Sequence, residues 1–461
     1  MFVDREKEKN RLLRAFERDN TRLIVVYGRR RCGKTALLRR ILPPKAVYFA
    51  ADLRETALQI SGLADRIDEI VPGFGKPVYP DWESLFNNLG LALRERTILC
   101  LDEFPYLVKN SPDLPSVIQK IVDAGWPHIL ILCGSSQQMM YGMALDGSSP
   151  LYGRCDEILR IRPMEIPYLK EYLRITAEDA VREFGVWGGV PRYWEIRRRS
   201  KSFEEAVKNH VLDRDGILYE EPERLFADEM RTSVQAFSVL SLIGSGCHRM
   251  SEIAGRLEKP ATQLSRLTAF LIDLGYIRRD VPYGESIHST KKSLYKIDDP
   301  FLNFYFTFLV PHRSRLEFGL IDPVWNDIRG RYDGYLSGIW EDICRRAVPL
   351  MTFQGKTFNP AARWWGNGLD GKPMELDLVA ESIDKSAILL GEVEWRMRTP
   401  VAKLQRELER KSRNLPFAGG KSVIKALFLR KADGEAARGA AVPDETTLVI
   451  PPGRVVSAMD G

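Results

Sequence analysis

Gly28 and Gly33, followed at once by Lys34 and Thr35, stand in the run Gly28-Arg29-Arg30-Arg31-Cys32-Gly33-Lys34-Thr35. The spacing G-x-x-x-x-G-K-[ST] is that of a loop that cradles phosphates. Glycine at each end lets the backbone curl and approach an anion without a Cβ in the way. The loop N–H groups and the start of the next helix then offer partial positive charge. Lys34 is expected to reach the β- and γ-phosphates of ATP and Thr35 to ligate Mg²⁺. Arg29, Arg30, Arg31, Cys32 and Ala36 complete the expected nucleotide-binding stretch.

A second chemical signal follows in Ile98-Leu99-Cys100-Leu101-Asp102-Glu103. An apolar run ending in two acids reads as a buried parallel strand whose carboxylates emerge at its C-terminal end, where ligands sit in open α/β sheets. Asp102 is expected to hold Mg²⁺, directly or through water, and Glu103 to activate the attacking water. A third such run, Ile129 to Cys133, exits into Gly134-Ser135-Ser136. Ser135 or Ser136 there could sense the γ-phosphate.

These groups need a parallel sheet to position them. The apolar runs Leu23–Tyr27 and Ala46–Ala50 supply two more strands, and a surface helix over residues 5–18 precedes them. In an additional-strand arrangement the 129–133 strand lies between the strand of the loop and that of Asp102.

A separate set of acids lies near the other end of the chain. Glu375 and Asp377 alternate with Leu376 and Leu378, and after a turn at Asp384-Lys385-Ser386 a second strand puts Glu392 and Glu394 on one face. If these strands are antiparallel neighbours, their carboxylates crowd together, which favours a divalent cation. Glu341 stands off the apolar stripe of a helix over residues 335–348 and joins the candidate set. The cofactors expected are therefore ATP with Mg²⁺, and a second Mg²⁺ or Mn²⁺ in this region.

Between these regions, three short amphipathic helices stop at Gly244, before Pro260 and at Gly275. Two strands, 276–279 and 293–297, follow. That order spells a winged helix-turn-helix, with Gln263 and Arg266 on the third helix and Arg278, Arg279, Lys291 and Lys292 on the wing. Phe301 to Phe306 is apolar on nearly every face and reads as a buried connector.

The chain has 461 residues, 44% of them hydrophobic and 28% charged, with a net charge of +6. That length accommodates three or four domains, and the charge permits a nucleic-acid partner without demanding one. The N-terminus is charged where a signal peptide would be apolar, and no apolar run reaches ~18 residues, so a cytoplasmic protein with no membrane partner is expected. The six cysteines lack C-x-x-C spacing, which argues against a zinc framework.

With Phe2-Val3-Asp4-Arg5-Glu6, Leu151-Tyr152-Gly153-Arg154 and Gly188-Gly189-Val190-Pro191-Arg192-Tyr193 added, the chain resembles the archaeal-type P-loop ATPases of the STAND and AAA+ group, of the kind with an uncharacterised C-terminal region. The resemblance implies that Arg154 stabilises phosphate charge and that Gly189 and Pro191, in a helical lid, contact the nucleotide. The C-terminal acids resemble the PD-(D/E)xK nuclease core, with Asp377 and then Glu392 fifteen residues on. Glu394 stands where that core has its lysine, and a lysine of the next helix, such as Lys403, could substitute.

The fold class expected is α/β multidomain: a P-loop ATPase core over 1–162, a helical lid over 163–230, a winged helix-turn-helix with connector over 231–310, and an α/β restriction-endonuclease-like domain over 311–461. Three functions compete: an ATP-driven switch controlling a nuclease-like domain, an initiator-like DNA-binding ATPase, and a nucleotide-switched scaffold. DNA or RNA and a protein partner stay open, as does the oligomeric state.

Overall fold

In the first unit, every residue of the strands β1 (Leu23–Tyr27) and β3 (Ile98–Asp102) is buried. Strands covered on both faces read as unbroken apolar runs, and these two sit inside a parallel sheet. The computed structural model describes residues 5–230, 233–286, 290, 292–431 and 447–460. It forms two compact units, one of Met1–Pro163, Val190–Arg192 and Ala227–Arg231, the other of Met164–Gly189, Tyr193–Phe226 and Thr232–Gly461.

The first unit's sheet adds β2 (Val47–Ala50), β4 (Ile129–Gly134) and β5 (Glu157–Arg160), in the order β2-β3-β4-β1-β5 and parallel throughout. As the sequence suggests, β4 lies between the strand of the phosphate loop and that of Asp102. Around the sheet run α1 (Glu6–Glu17), α2 (Lys34–Ile41), α3 (Thr56–Asp68), α4 (Trp82–Ala92), α5 (Phe104–Asn110), α6 (Leu114–Asp123) and α7 (Gln137–Leu145). Their inward side chains, Leu63, Leu85, Phe86 and Ile118 among them, are essentially inaccessible to water. Each such side chain contributes about 1.5–3 kcal/mol on burial.

In the second unit, α8 (Ile166–Leu173), α9 (Ala177–Trp187), α10 (Pro191–Arg197), α11 (Phe203–Val207) and α12 (Glu221–Glu229) make up the segment expected as a lid; the start of α10 and the end of α12 belong to the first unit. Next come α13 (Ser233–Gly244), α14 (Met250–Arg256) and α15 (Ala261–Leu274), then an antiparallel hairpin of β6 (Ile277–Asp280) and β7 (Leu294–Ile297). Lys291, one of the wing cations, lies outside the described residues, as do Phe2, Val3 and Asp4.

The connector is buried as expected. It forms α16 (Pro300–Phe304), a wide π-helical turn Tyr305–Leu309 and α17 (Val310–Glu317). The Phe301 ring lies 4.7 Å from that of Tyr193, and Phe306 meets Phe237 edge-on at 4.9 Å. A Cβ on Gly244 would come within 2.7 Å of the Phe306 side chain, so that position demands glycine.

The long helix α18 (Ile321–Ala347) follows, and Tyr332 and Tyr335 donate hydrogen bonds from it to the carbonyls of Arg182 and Gly185 in α9, at 2.5 and 2.7 Å. A short hairpin of β8 (Thr352–Phe353) and β9 (Lys356–Thr357) leads into the last sheet. That sheet comprises β10 (Ala362–Asn367), β11 (Pro373–Glu381), β12 (Ala387–Glu394), β13 (Ser422–Leu429) and β14 (Thr447–Ile450), in sequence order. The first three strands run antiparallel, whereas β12–β13 and β13–β14 are parallel. The parallel step from β12 to β13 needs a crossover, and α19 (Val401–Arg413) provides it. The short helix α20 (Pro452–Ala458) ends the described chain. No helix among the described residues is long and apolar enough to cross a membrane.

Candidate nucleotide site and C-terminal carboxylate cluster

The phosphate loop joins β1 to α2, and its shape explains its glycines. Gly28 has φ +151°, and a Cβ there would lie 2.1 Å from the carbonyl oxygen of Ile161 just beyond β5. Gly33, at φ +91°, precedes the first turn of α2. Lys34 is buried, and its ammonium donates to the carbonyls of Gly28 (2.8 Å) and Arg29 (3.1 Å). Arg29 and Cys32 are buried in the loop, Arg31 and Ala36 are exposed, and Arg30 donates to the Tyr106 hydroxyl at 2.7 Å.

Thr35 and Asp102, sixty-seven residues apart in the chain, meet. The Thr35 hydroxyl donates to Asp102 Oδ2 at 2.7 Å, and the Tyr48 hydroxyl donates to the same oxygen at 2.5 Å. Burial alone would raise the Asp102 pKa. Hydrogen bonds from Cys133, Tyr48, Thr35 and the Glu103 N–H outweigh it and hold the carboxyl below its ordinary range. The result is an ionised, pre-aimed oxygen beside a hydroxyl, a pair whose chemistry fits Mg²⁺.

Glu103 follows β3 in a left-handed conformation, φ +54°, unusual for a side-chain-bearing residue and characteristic of strained functional positions. Its Oε2 accepts a hydrogen bond from Ser135 at the end of β4, at 2.8 Å. Ser136 precedes α7.

Arg154 requires a correction. It precedes β5, whose start lies beside the beginning of β1, because Asp156 accepts the backbone N–H groups of Arg22 and Leu23. The phosphate loop leaves β1 at the other end. Arg154 instead forms a two-point pair with Asp123 at the end of α6, at 2.8 and 3.0 Å. It cannot serve the loop of its own chain. The arginine of β5 that does lie at the loop's edge of the sheet is Arg160, opposite Tyr27.

Gly189 is required by a backbone approach, since a Cβ would come within 2.1 Å of the Met164 carbonyl oxygen. Pro191 opens α10.

Two residues not anticipated belong to this unit. Arg5 is buried before α1 and donates to the carbonyls of Cys32 (3.0 Å) and Arg162 (2.7 Å), bracing the loop from behind. Glu229 is buried and accepts the Gln137 N–H at 3.1 Å. Burial raises its pKa to about 7 even though the Gln137 N–H, Lys34, Arg30 and Arg29 all favour its charged form.

In the second unit the pairing of Leu378 with Gly391 brings Asp377 and Glu392 alongside each other on neighbouring strands. Asp377 Oδ2 accepts the Val393 N–H at 3.0 Å, and the Asp377 carbonyl accepts from Arg345 of α18 at 2.8 Å. Arg345 also lies 3.4 Å from Glu341 and pairs with Asp342. Glu392 is buried, and its pKa is raised to about 7 by burial and the Asp377 charge, against the pull of Lys411. Burial, then Asp377, likewise raises Glu341. Glu394 is half-buried and pairs with Arg396 at 2.9 Å. Glu375 turns away to Arg363 of β10 at 2.8 Å.

The lysine reaching this cluster is Lys411, 2.6 Å from Glu392. Lys403, the residue suggested by sequence, is exposed on the same helix. Among the described residues no three His, Cys, Asp or Glu side chains are gathered to hold a metal ion. The physical reason is local: Lys411 and Arg396 each take up a carboxylate that a cation would otherwise share. Asp377 and Glu392 remain side by side, and Mg²⁺ commonly uses one or two carboxylates with water completing its shell.

Arg278 also departs from its expected role on the wing. Its guanidinium contacts Asp280 (2.9 Å), Asp298 (3.1 Å) and Asp342 (2.6 Å), so it joins the hairpin to α18 rather than facing a phosphate. Gln263 and Arg266 are exposed on α15.

A loop of this shape whose threonine is hydrogen-bonded to a buried aspartate defines an ATPase-type P-loop domain. Residues 2–194 match a family model described as an ATPase domain predominantly from Archaea, and residues 305–409 match one described as archaea bacterial proteins of unknown function. The uncharacterized protein MJECL04 of Methanocaldococcus jannaschii is 31% identical over 423 residues, which span 90% of this chain and 92% of that protein. The chain belongs to the same family. An uncharacterized ATP-binding protein of that organism, MJ0423, is 43% identical over 51 residues, 11% of this chain and 86% of the relative. Among solved structures, the Walker-type ATPase PABY2304 of Pyrococcus abyssi aligns with a TM-score of 0.50 and 22% identity, covering 66% of this chain and 96% of that one. That likeness concerns the fold.

Proposed function

We propose that the chain is a Mg²⁺-dependent ATP-binding and hydrolysing switch that controls a nuclease-like C-terminal domain. The observation that carries the ATPase reading is the 2.7 Å contact between Thr35 and Asp102 beside the Lys34 loop. ATP lies along Gly28 to Ala36, with the loop N–H groups and the start of α2 facing its phosphates. Lys34 exchanges its two carbonyl partners for phosphate oxygens. Thr35 and Asp102 hold Mg²⁺, which when bound neutralises charge on the β- and γ-oxygens. Glu103, held by Ser135, orients and activates the attacking water. By family resemblance Gly189 and Pro191 contribute to the nucleotide site.

Replacing Lys34 by Ala is expected to abolish binding of a fluorescent ATP analogue. Retained tight affinity would defeat the assignment.

The nuclease-like reading is supported by the order α18, β10, β11, β12, α19, β13 and by Asp377 and Glu392 on adjacent strands with Lys411 beside them. In this reading the two carboxylates hold a divalent cation and Lys411 replaces the missing lysine at position 394. Incubating plasmid and single-stranded substrates with Mg²⁺ or Mn²⁺, with and without ATP, tests it against Asp377→Ala. The winged-helix reading of α13 to β7 rests on the helix order and the exposed Gln263 and Arg266. Control of one domain by the other predicts a proteolytic pattern in the C-terminal domain that changes with ATP; an unchanged pattern removes that part of the proposal.

A further inference from the structure

We propose that the outer face of α19 binds the phosphodiester backbone of a nucleic acid and leads it to the Asp377–Glu392 pair; the destination, though not the binding, rests on the nuclease-like reading.

The face is made by Lys403, Arg406, Arg410 and Arg413. At 100° per residue these four positions fall within an arc of about 80°, and at 1.5 Å rise they extend along about 15 Å of helix. All four are exposed. Lys403, Arg406 and Arg410 form no ion pair among the described residues, and Arg413 pairs only with Glu409 of its own helix, at 3.0 Å. Glu409 is itself held by Lys425 of β13, so the nearest acid on this side is already compensated.

The opposite face explains the register. Val401, Leu408 and Lys411 are buried against the sheet, and Lys411 meets Glu392 there. Glu407 occupies the flank between the two faces, and it bears electrostatically on both Glu392 and Glu394. The carboxylates are therefore reached from the cationic row around the Glu407 flank of the helix. On its other side an open groove of about 430 Å³ is lined by Gln405, Arg406, Glu409, Arg410, Arg413 and Asn414.

Charge complementarity selects the occupant. Four cations spaced by three or four residues stand about 4.5–6 Å apart along the axis, comparable with successive phosphates along a strand. A regular polyanion can use all four at once. The side chains present no aromatic platform for stacked bases, so the expected binding is to backbone and independent of sequence.

The test is fluorescence anisotropy with the full chain in EDTA, using 30-residue duplex DNA, single-stranded DNA and single-stranded RNA between 50 and 200 mM salt. Binding is expected to weaken with salt, with a slope of about −0.7 to −0.9 per phosphate contacted. The triple variant Lys403→Glu/Arg406→Glu/Arg410→Glu is expected to bind at least about 10-fold more weakly at the low-salt end, with the slope reduced by about two to three. The milder Lys403→Gln/Arg406→Gln/Arg410→Gln variant should fall between, and circular dichroism checks that both remain folded. Lys45→Glu/Lys76→Glu/Lys120→Glu changes net charge equally elsewhere and should leave affinity within about threefold.

Which of the three probes binds best distinguishes DNA from RNA. No binding of any probe, equal affinity in the α19 variants, or equally tight binding of poly-glutamate would overturn the proposal. Cleavage is measured separately with Mg²⁺. Binding that depends on α19 without cutting keeps this proposal and removes the nuclease; cutting with binding indifferent to α19 does the reverse.

Discussion

Lys411 on the crossover helix places its ammonium 2.6 Å from Oε1 of Glu392 on the strand before it, and both side chains are about nine-tenths shielded from solvent. Burying either charge alone is costly, so the pair holds only while both members are present. Lys411→Ala is expected to destabilise the second unit by about 3–5 kcal/mol. The double variant Lys411→Met/Glu392→Gln should recover most of that loss. Hydrogen exchange of β12 and β13 amides, which reports local opening, checks both.

Glu103→Gln removes the proposed general base and keeps the shape. ATP affinity is expected to stay within a few-fold while the steady-state rate falls by about 10²-fold or more. Ser135→Ala frees the Glu103 carboxylate without neutralising it and should cost less, about 10-fold. A Ser135→Ala enzyme as impaired as Glu103→Gln would mean that the hydroxyl acts on phosphate directly.

Glu229 makes stability depend on pH. Its folded pKa of about 7 stands above the ordinary 4.5 because burial outweighs the Gln137 N–H and the Lys34, Arg30 and Arg29 charges. Below about pH 4.5 both states hold the proton; between there and 7 only the folded state does. Stability of the first unit therefore falls as pH rises through that window, by up to about 3 kcal/mol, and levels off above it. Thermal midpoints of wild type and Glu229→Gln between pH 5 and 8 measure this, and the variant should show the shallower slope.

Arg154→Ala should leave ATP hydrolysis of the dilute protein within about twofold of wild type, because its partner is Asp123 at the end of α6, and it precedes the end of β5 remote from the phosphate loop. A defect that grows with protein concentration would show that Arg154 serves the loop of a neighbouring copy.

Gly28→Ala tests the loop geometry. With φ at +151° and the Ile161 carbonyl 2.1 Å from the new Cβ, the backbone at the β1–β5 edge must separate. Expected is loss of soluble folded protein or a cost above about 4 kcal/mol, whereas the same Gly→Ala change at Gly142 in α7, where an added Cβ meets nothing within 4 Å, costs nothing.

The phosphate loop, the strand ending at Asp102 and the central position of β4 were legible because each depends on a few neighbouring residues. The strand β5 was not, since Glu157 and Arg160 at its ends mask an apolar core of only two residues. Lys411 was within reach of sequence reasoning: it falls on the stripe Leu404, Leu408, Lys411, Leu415, and a lysine on an apolar stripe marks a buried partner. Lys403 lies on the other side of the same helix. The three acids around Arg278 come from positions 280, 298 and 342, a convergence that local pattern cannot disclose. Arg5 is similar, because what it braces begins 27 residues away.

The second family model begins at residue 305, inside the continuous helical run from Pro300 to Leu309. That run is gripped from upstream: Phe301 by Tyr193, and Phe306 by Phe237 and the bare backbone of Gly244. A chain beginning at position 305 would leave the Phe306 ring without Phe237 and the Gly244 backbone, so a fragment carrying the last sheet is expected to fold only when it begins upstream of α13.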